Sequence, residues 1–177
     1  MSNPIIIMHP LAGNYLVVSN LSTLLMYEYD SGASQYVLNY TYNFVAVSNL
    51  AYAFSVDGKM IVQIYHGVAA NDFTMVIHEL NTGTGQYTPT VLSMGFPAGT
   101  TKYIRDANMI IRGGVYILIA VMQDGSTHYL KYYHITTGST FNEQQQIYSG
   151  LTFLNYEYLT QNGNFLAVEA QSTLYYF

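Results

Sequence analysis

Short apolar runs rich in β-branched and aromatic residues alternate along the chain with clusters of Gly, Asn, Asp and Ser. No long segment carries the 3.6-residue period of an amphipathic helix, so the pattern predicts strands throughout. Residues 51–62, AYAFSVDGKMIV, show the unit in miniature: an apolar run, a Ser-x-Asp-Gly turn, then a second apolar run. Gly, Asn and Asp at such a turn supply positive φ at little steric cost.

The unit recurs. GNYLVV at 13–18, GKMIVQI at 58–64, GGVYILIAV at 113–121 and GNFLAV at 163–168 each open on glycine and continue as a strand. Three are followed by a strand ending in a matching turn, MYEYDSG (26–32), VIHELNTG (76–83) and KYYHITTG (131–138), and the fourth by STLYYF. Two further strand-like runs separate each turn from the next opening: QYVLNYTYNF and NLAYAFSVDG, YTPTVLSM and TKYIRDANMII, FNEQQQIYSG and LTFLNYEYLTQNG. A four-strand unit thus repeats from Gly13, Gly58, Gly114 and Gly163, at spacings of 45, 56 and 49 residues. A period near 40–50 residues is that of a propeller blade.

On SVDGK at 55–59, the MIVQIY that follows and the later NTG turn, the chain resembles WD40-like β-propeller repeat proteins. In those proteins a Ser-x-Asp-Gly turn joins the innermost strand of a blade to the next. The resemblance spans nearly all of residues 1–177, without a Trp-Asp or Gly-His pair; TQNG at 160–163 and IRGG at 111–114 are degenerate forms of the turn. It implies one all-β domain, a small propeller of about four blades. The last blade would lack its outer strand, and residues 4–8 would close the ring beside residues 164–168. A β-sandwich or a meander barrel is the alternative. Thr173, Leu174, Tyr175, Tyr176 and Phe177 would leave a bare strand edge, a natural place for another chain to pair.

Composition narrows the function classes. Only 8% of residues are charged, against roughly 25% in an ordinary soluble domain, while 19 are Tyr and none is Trp. Tyrosine covers apolar area and keeps a polar tip, which suits a contact surface, although strands favour it in any case. The cations are Lys59, Lys102, Arg105, Arg112 and Lys131, too scattered for a nucleic-acid footprint. With no cysteine there are no disulfides, thiolate metal sites or Cys nucleophiles. The apolar runs, such as VYILIAVM at 115–122, fall short of the ~20 residues of a membrane span. The opening MSNPIIIMHPLAG reads as a strand rather than a secretory signal.

Little catalytic chemistry is visible. His9, His66, His78, His128 and His134 form no H-x-x-x-H or H-E-x-x-H spacing, and strand alternation puts His78 and Glu79 on opposite faces. Arg105 and Arg112 are the only arginines, where sialic-acid-cleaving propellers clamp a carboxylate with three. Lys102, Tyr103, Arg105, Asp106 and Arg112 form the densest polar cluster, a candidate anion-binding mouth if their strand lines a channel. Tyr40–Tyr42, Tyr132–Tyr133 and Tyr156–Tyr158 are candidate platforms for sugar rings, or else packing between blades.

The expectation is therefore a non-enzymatic protein-interaction or assembly module, without metal or cofactor. It would self-associate or bind a protein partner, with a carbohydrate-binding (lectin-like) or adhesion protein as the alternative and a hydrolase as the third reading. The composition is similar in style to structural proteins of viruses from hot environments, which implies a virion or extracellular surface component.

Overall fold

The computed structural model describes residues 5–8, 15–20, 22–45, 47–67, 72–97, 102–125, 127–136, 140–151, 159–162, 165–170 and 173–176. Among them there is no helix. Every element is a strand of one of four antiparallel sheets. The first sheet runs β1 (Ile5–Met8), β2 (Tyr15–Ser19), β3 (Thr23–Asp30), β4 (Gln35–Asn43). The second runs β5 (Val47–Phe54), β6 (Met60–Gly67), β7 (Asp72–Asn81), β8 (Gln86–Pro97). The third holds β9 (Lys102–Arg112), β10 (Val115–Asp124), β11 (Thr127–Thr136) and β12 (Thr140–Leu151). The fourth holds β13 (Leu159–Asn162), β14 (Phe165–Ala170) and β15 (Thr173–Tyr176). Each strand pairs with its sequence neighbour, so every sheet is a simple meander.

Turn chemistry sets these registers. Arg112 pairs with Val115 across Gly113 and Gly114, both at positive φ (57° and 79°), the requirement of a two-residue hairpin loop. Ser55-Val-Asp-Gly closes between β5 and β6: Ser55 Oγ donates to Asp57 Oδ1 at 2.7 Å and accepts from Met60 N at 2.9 Å. Gly58 takes φ 70° there. The Asp30 and Asn81 side chains each accept two backbone N–H bonds and shape equivalent turns in the first and second sheets.

The sheets pack face on face. In β6, Met60, Val62 and Ile64 join β9 and β10 residues Met109, Leu118 and Met122 in a core between the second and third sheets. Alternate residues face the other way: Ile61 packs with Val17, Leu24 and Met26 of the first sheet. Burial on both faces explains why MIVQIY lacks polar alternation. β10 is likewise buried from Tyr116 to Met122. β5 packs along β9, and β9 against β13.

One expectation is corrected. Of the strands expected at 4–8 and 164–168, the described residues 5–8 do not pair with 165–168: β1 pairs with β2, and both edges of β14 are taken by β13 and β15. A strand has two hydrogen-bonding edges, so no place is left for β1 on β14. No closed sheet is formed among the described residues.

Candidate interaction surface

A chain of polar side chains ties the first sheet to the second. His78 in β7 is fully buried, and Tyr40 Oη in β4 lies 3.0 Å from its Nδ1. His78 Nε2 faces Gln63 Oε1 at 3.4 Å, Gln63 Nε2 donates to Tyr52 Oη at 3.3 Å, and Tyr52 Oη meets Ser19 Oγ, which reaches the Thr23 carbonyl at 3.1 Å. A neutral imidazole protonated at Nε2 satisfies the whole relay: Tyr40 donates to His78, His78 to Gln63, Gln63 to Tyr52, Tyr52 to Ser19 and Ser19 to the backbone. Burial pushes the imidazole pKa down to about 3 and the Tyr40 and Tyr52 hydroxyls up to about 12. The network joins the two sheets through the buried Ser19, Tyr52, Gln63 and His78 and the half-buried Tyr40.

The Ser55-x-Asp57-Gly58 turn is a second joint. Tyr116 Oη of the third sheet donates to Asp57 Oδ2 at 2.9 Å, and Tyr87 Oη of β8 donates to the Gly58 carbonyl at 2.5 Å. Desolvation would raise the Asp57 pKa, but hydrogen bonds from Ser55, the Lys59 N–H and Tyr116 outweigh it and hold the carboxyl below its usual range. The phrase that carries the propeller resemblance is therefore a staple between sheets.

The sequence-derived ligand candidates separate. Lys102 forms an ion pair with Asp124 at 3.6 Å, and Arg105 Nε donates to Gln123 while its guanidinium sits 5.2 Å from the centre of the Tyr103 ring. Arg105 is the extra residue of a β-bulge, since Val121 pairs with Asp106 and Met122 with Ile104. Arg112 lies seven residues further along the same strand, about 23 Å away, so the two arginines share no mouth. Tyr133 is fully buried in the core between the second and third sheets, which withdraws it as a sugar platform. Tyr40 and Tyr42 pack edge-on against His78 at 5.7 and 4.9 Å. The side chain of Tyr132 and residues Tyr156 to Tyr158 and Phe177 lie outside the described residues; Thr173, Leu174, Tyr175 and Tyr176 form β15, at the edge of its sheet. Among the described residues no three His, Asp or Glu side chains gather as metal ligands.

Sequence reasoning missed the outward face of the first sheet. Pairing aligns Leu16, Tyr27 and Leu38 in one row and Val18 with Leu25 in the next, on the side opposite Val17, Leu24 and Met26. Four of these five are half-buried, and Leu38 is 49% exposed. None of the five belongs to the packed clusters between sheets, among the described residues. The face continues to Tyr29, stacked edge-to-face on Tyr36 at 5.3 Å. The missed signal is that YLVVS and TLLMY are apolar at both parities, like the doubly buried MIVQIY.

No protein-family model matches the chain, and no curated protein matches it in sequence. Solved structures do. One is a protein from Lactobacillus plantarum, with TM-score 0.62 and 19% identity over 99% of this chain and 50% of that one. Another, a functionally unknown protein from Desulfotomaculum acetoxidans DSM 771, gives TM-score 0.53 and 15% identity over 94% of this chain and 47% of that one. The chain thus spans about half the length of either. The β-propeller domain of Cps50 (Swd1) from Myceliophteria thermophila matches 97% of this chain and 65% of that one at 10% identity, with a TM-score of 0.47, too slight to carry an argument.

Proposed function

We propose that the chain is a non-enzymatic protein-interaction or assembly module, its four sheets serving as about four blades of a propeller-like arc. The observation that carries this reading is the apolar outward face of the first sheet. Leu16, Val18, Leu25, Tyr27 and Leu38 stand on one side of three paired strands, where an apolar patch of this extent marks an interaction site. The scaffold behind it is stiff, because the second sheet is packed on both faces and joined to the first by the His78 relay. A rigid sheet presents such a face without an ordering cost on binding.

The chain has no cysteine, so Leu25→Cys introduces a single reporter thiol. The reading predicts that this thiol reacts readily in the free 19.9 kDa chain and becomes protected on association. A thiol protected within a 19.9 kDa particle would mean that the chain covers the face by itself, and the reading would fail.

A small-ligand reading has one supporting observation, the exposed Tyr103 ring with Arg105 above it. It predicts saturable binding of carboxylated sugars that disappears in Arg105→Ala; an unchanged isotherm removes it.

A further inference from the structure

We infer that the outward face of the first sheet is an interface with a second copy of this chain, whose fourth sheet packs upon it. The inference rests on the proposed reading of that face and names its occupant. In the two central sheets the strands β6 and β10 are buried on both faces: Ile61 and Val62, neighbours in β6, are both buried, as are Leu118 and Ile119 in β10. In the first sheet Val17, Leu24 and Met26 are closed off against the second sheet, whereas on the opposite side, equally apolar, Leu16, Val18, Leu25 and Tyr27 are half-buried, Leu38 is exposed, and none joins a core cluster among the described residues. A surface composed for burial on both sides wants a further sheet face.

Two observations point to a second copy rather than the chain's own fourth sheet. The sheets pack in series, first on second, second on third, and β9 of the third against β13 of the fourth. No comparable packing joins the fourth sheet to the first among the described residues. The joint between the first two sheets is also shallow. A ring of four sheets needs right-angle corners, which would carry fourth strands about 20 Å further apart than first strands at ~4.8 Å per strand. Yet Gln86 Nε2 in β8 donates to Asn39 Oδ1 in β4 at 3.2 Å, and Tyr40 and Tyr87 lie 5.7 Å apart. Such an angle calls for more than four sheets around a full turn.

Two copies joined head to tail form two such joints. A shared face three strands wide and five residues long covers about 240 Å² at ~4.8 Å per strand and ~3.3 Å per residue, so two joints bury on the order of 1,000 Å². That is the size of a weak, reversible interface, just under the about 1,200–2,000 Å² of stable ones. In the fourth sheet the register sets Leu159, Val168 and Tyr175 in one apolar row across its three strands.

Sedimentation equilibrium of the full chain tests this. The expected mass is twice 19.9 kDa. Leu25→Glu, and Leu38→Glu at its 49% exposed position, should each return the single-chain mass with an unchanged far-UV spectrum and weaken association at least about a hundredfold. Val91→Glu, 58% exposed in the second sheet, should remain a dimer. A mass of 19.9 kDa at every concentration, a mass above twice that, or a dimer that survives both Leu25→Glu and Leu38→Glu would overturn the inference. If the chain is monomeric, the Leu25→Cys thiol separates the two failures. A reactive thiol leaves the interaction-module reading in place, and a protected one removes both.

Discussion

Replacing His78 with glutamine should flatten the acid dependence of stability, and its size follows from the burial of the imidazole. In the native chain His78 is fully enclosed, its pKa is lowered to about 3, and its Nδ1 is committed as an acceptor for Tyr40. In the unfolded chain the same group titrates at its model value of 6.5. Between these values the unfolded state binds a proton that the native state refuses, so stability is full above pH 6.5 and falls as pH drops towards 3. The slope is about 1.4 kcal/mol per pH unit, so the wild-type chain should lose about 3 kcal/mol by about pH 4.5 that His78→Gln does not lose. Urea denaturation of both proteins from about pH 7 to about pH 4.5 measures it. Carboxylates titrate in both chains and cancel in the difference. Parallel pH profiles would refute the reasoning and would mean that native His78 takes up a proton as readily as a solvated imidazole.

Three further substitutions probe the joints between sheets. Asp57→Ala removes the acceptor of Ser55, the Lys59 N–H and Tyr116, and should cost about 1–2 kcal/mol in the urea midpoint. An unchanged midpoint would mean that the turn holds without its carboxylate. Leu118→Ala, in the fully buried core between the second and third sheets, should cost about 2–5 kcal/mol by the same assay. Tyr52→Phe strips the hydroxyl shared by Ser19 and Gln63 and should cost about 1–3 kcal/mol, because both partners stay buried. A smaller loss would mean that water replaces the hydroxyl.

Much of the strand order is legible because its determinants are local. Gly113-Gly114, Asn81 with Gly83, and Ser55-x-Asp57-Gly58 each impose a turn through their own φ values and side-chain bonds. What is not legible depends on which face meets which neighbour. Tyr36, Leu38, Tyr40 and Tyr42 alternate strictly, which predicts one shared face. The bulge at Asn39 breaks that alternation: Leu38 pairs with Tyr27 on the outward side, while Tyr40 pairs with Met26 on the side facing the second sheet. Nothing local to NYTY announces a bulge; Asn39, the extra residue, bonds Glu28 on the neighbouring strand and Gln86 across the sheet interface. The same holds for Arg105 and Arg112. Both sit on one strand, but strand geometry spreads them along its length instead of gathering them. His78 looks like an ordinary strand histidine, and its relay becomes visible only when Ser19, Tyr40, Tyr52 and Gln63 arrive from four other strands.

The most direct test of the account is a crosslink between the first and fourth sheets. Two single-thiol chains, Leu25→Cys and Val168→Cys, would be mixed and treated with a short bifunctional thiol reagent, with a doubly substituted chain alongside. The account predicts a covalent dimer of twice 19.9 kDa in the mixture, and links between chains in the doubly substituted protein at dilution just above its dissociation constant. A doubly substituted chain that crosslinks within itself at 19.9 kDa, with no dimer in the mixture, would contradict it.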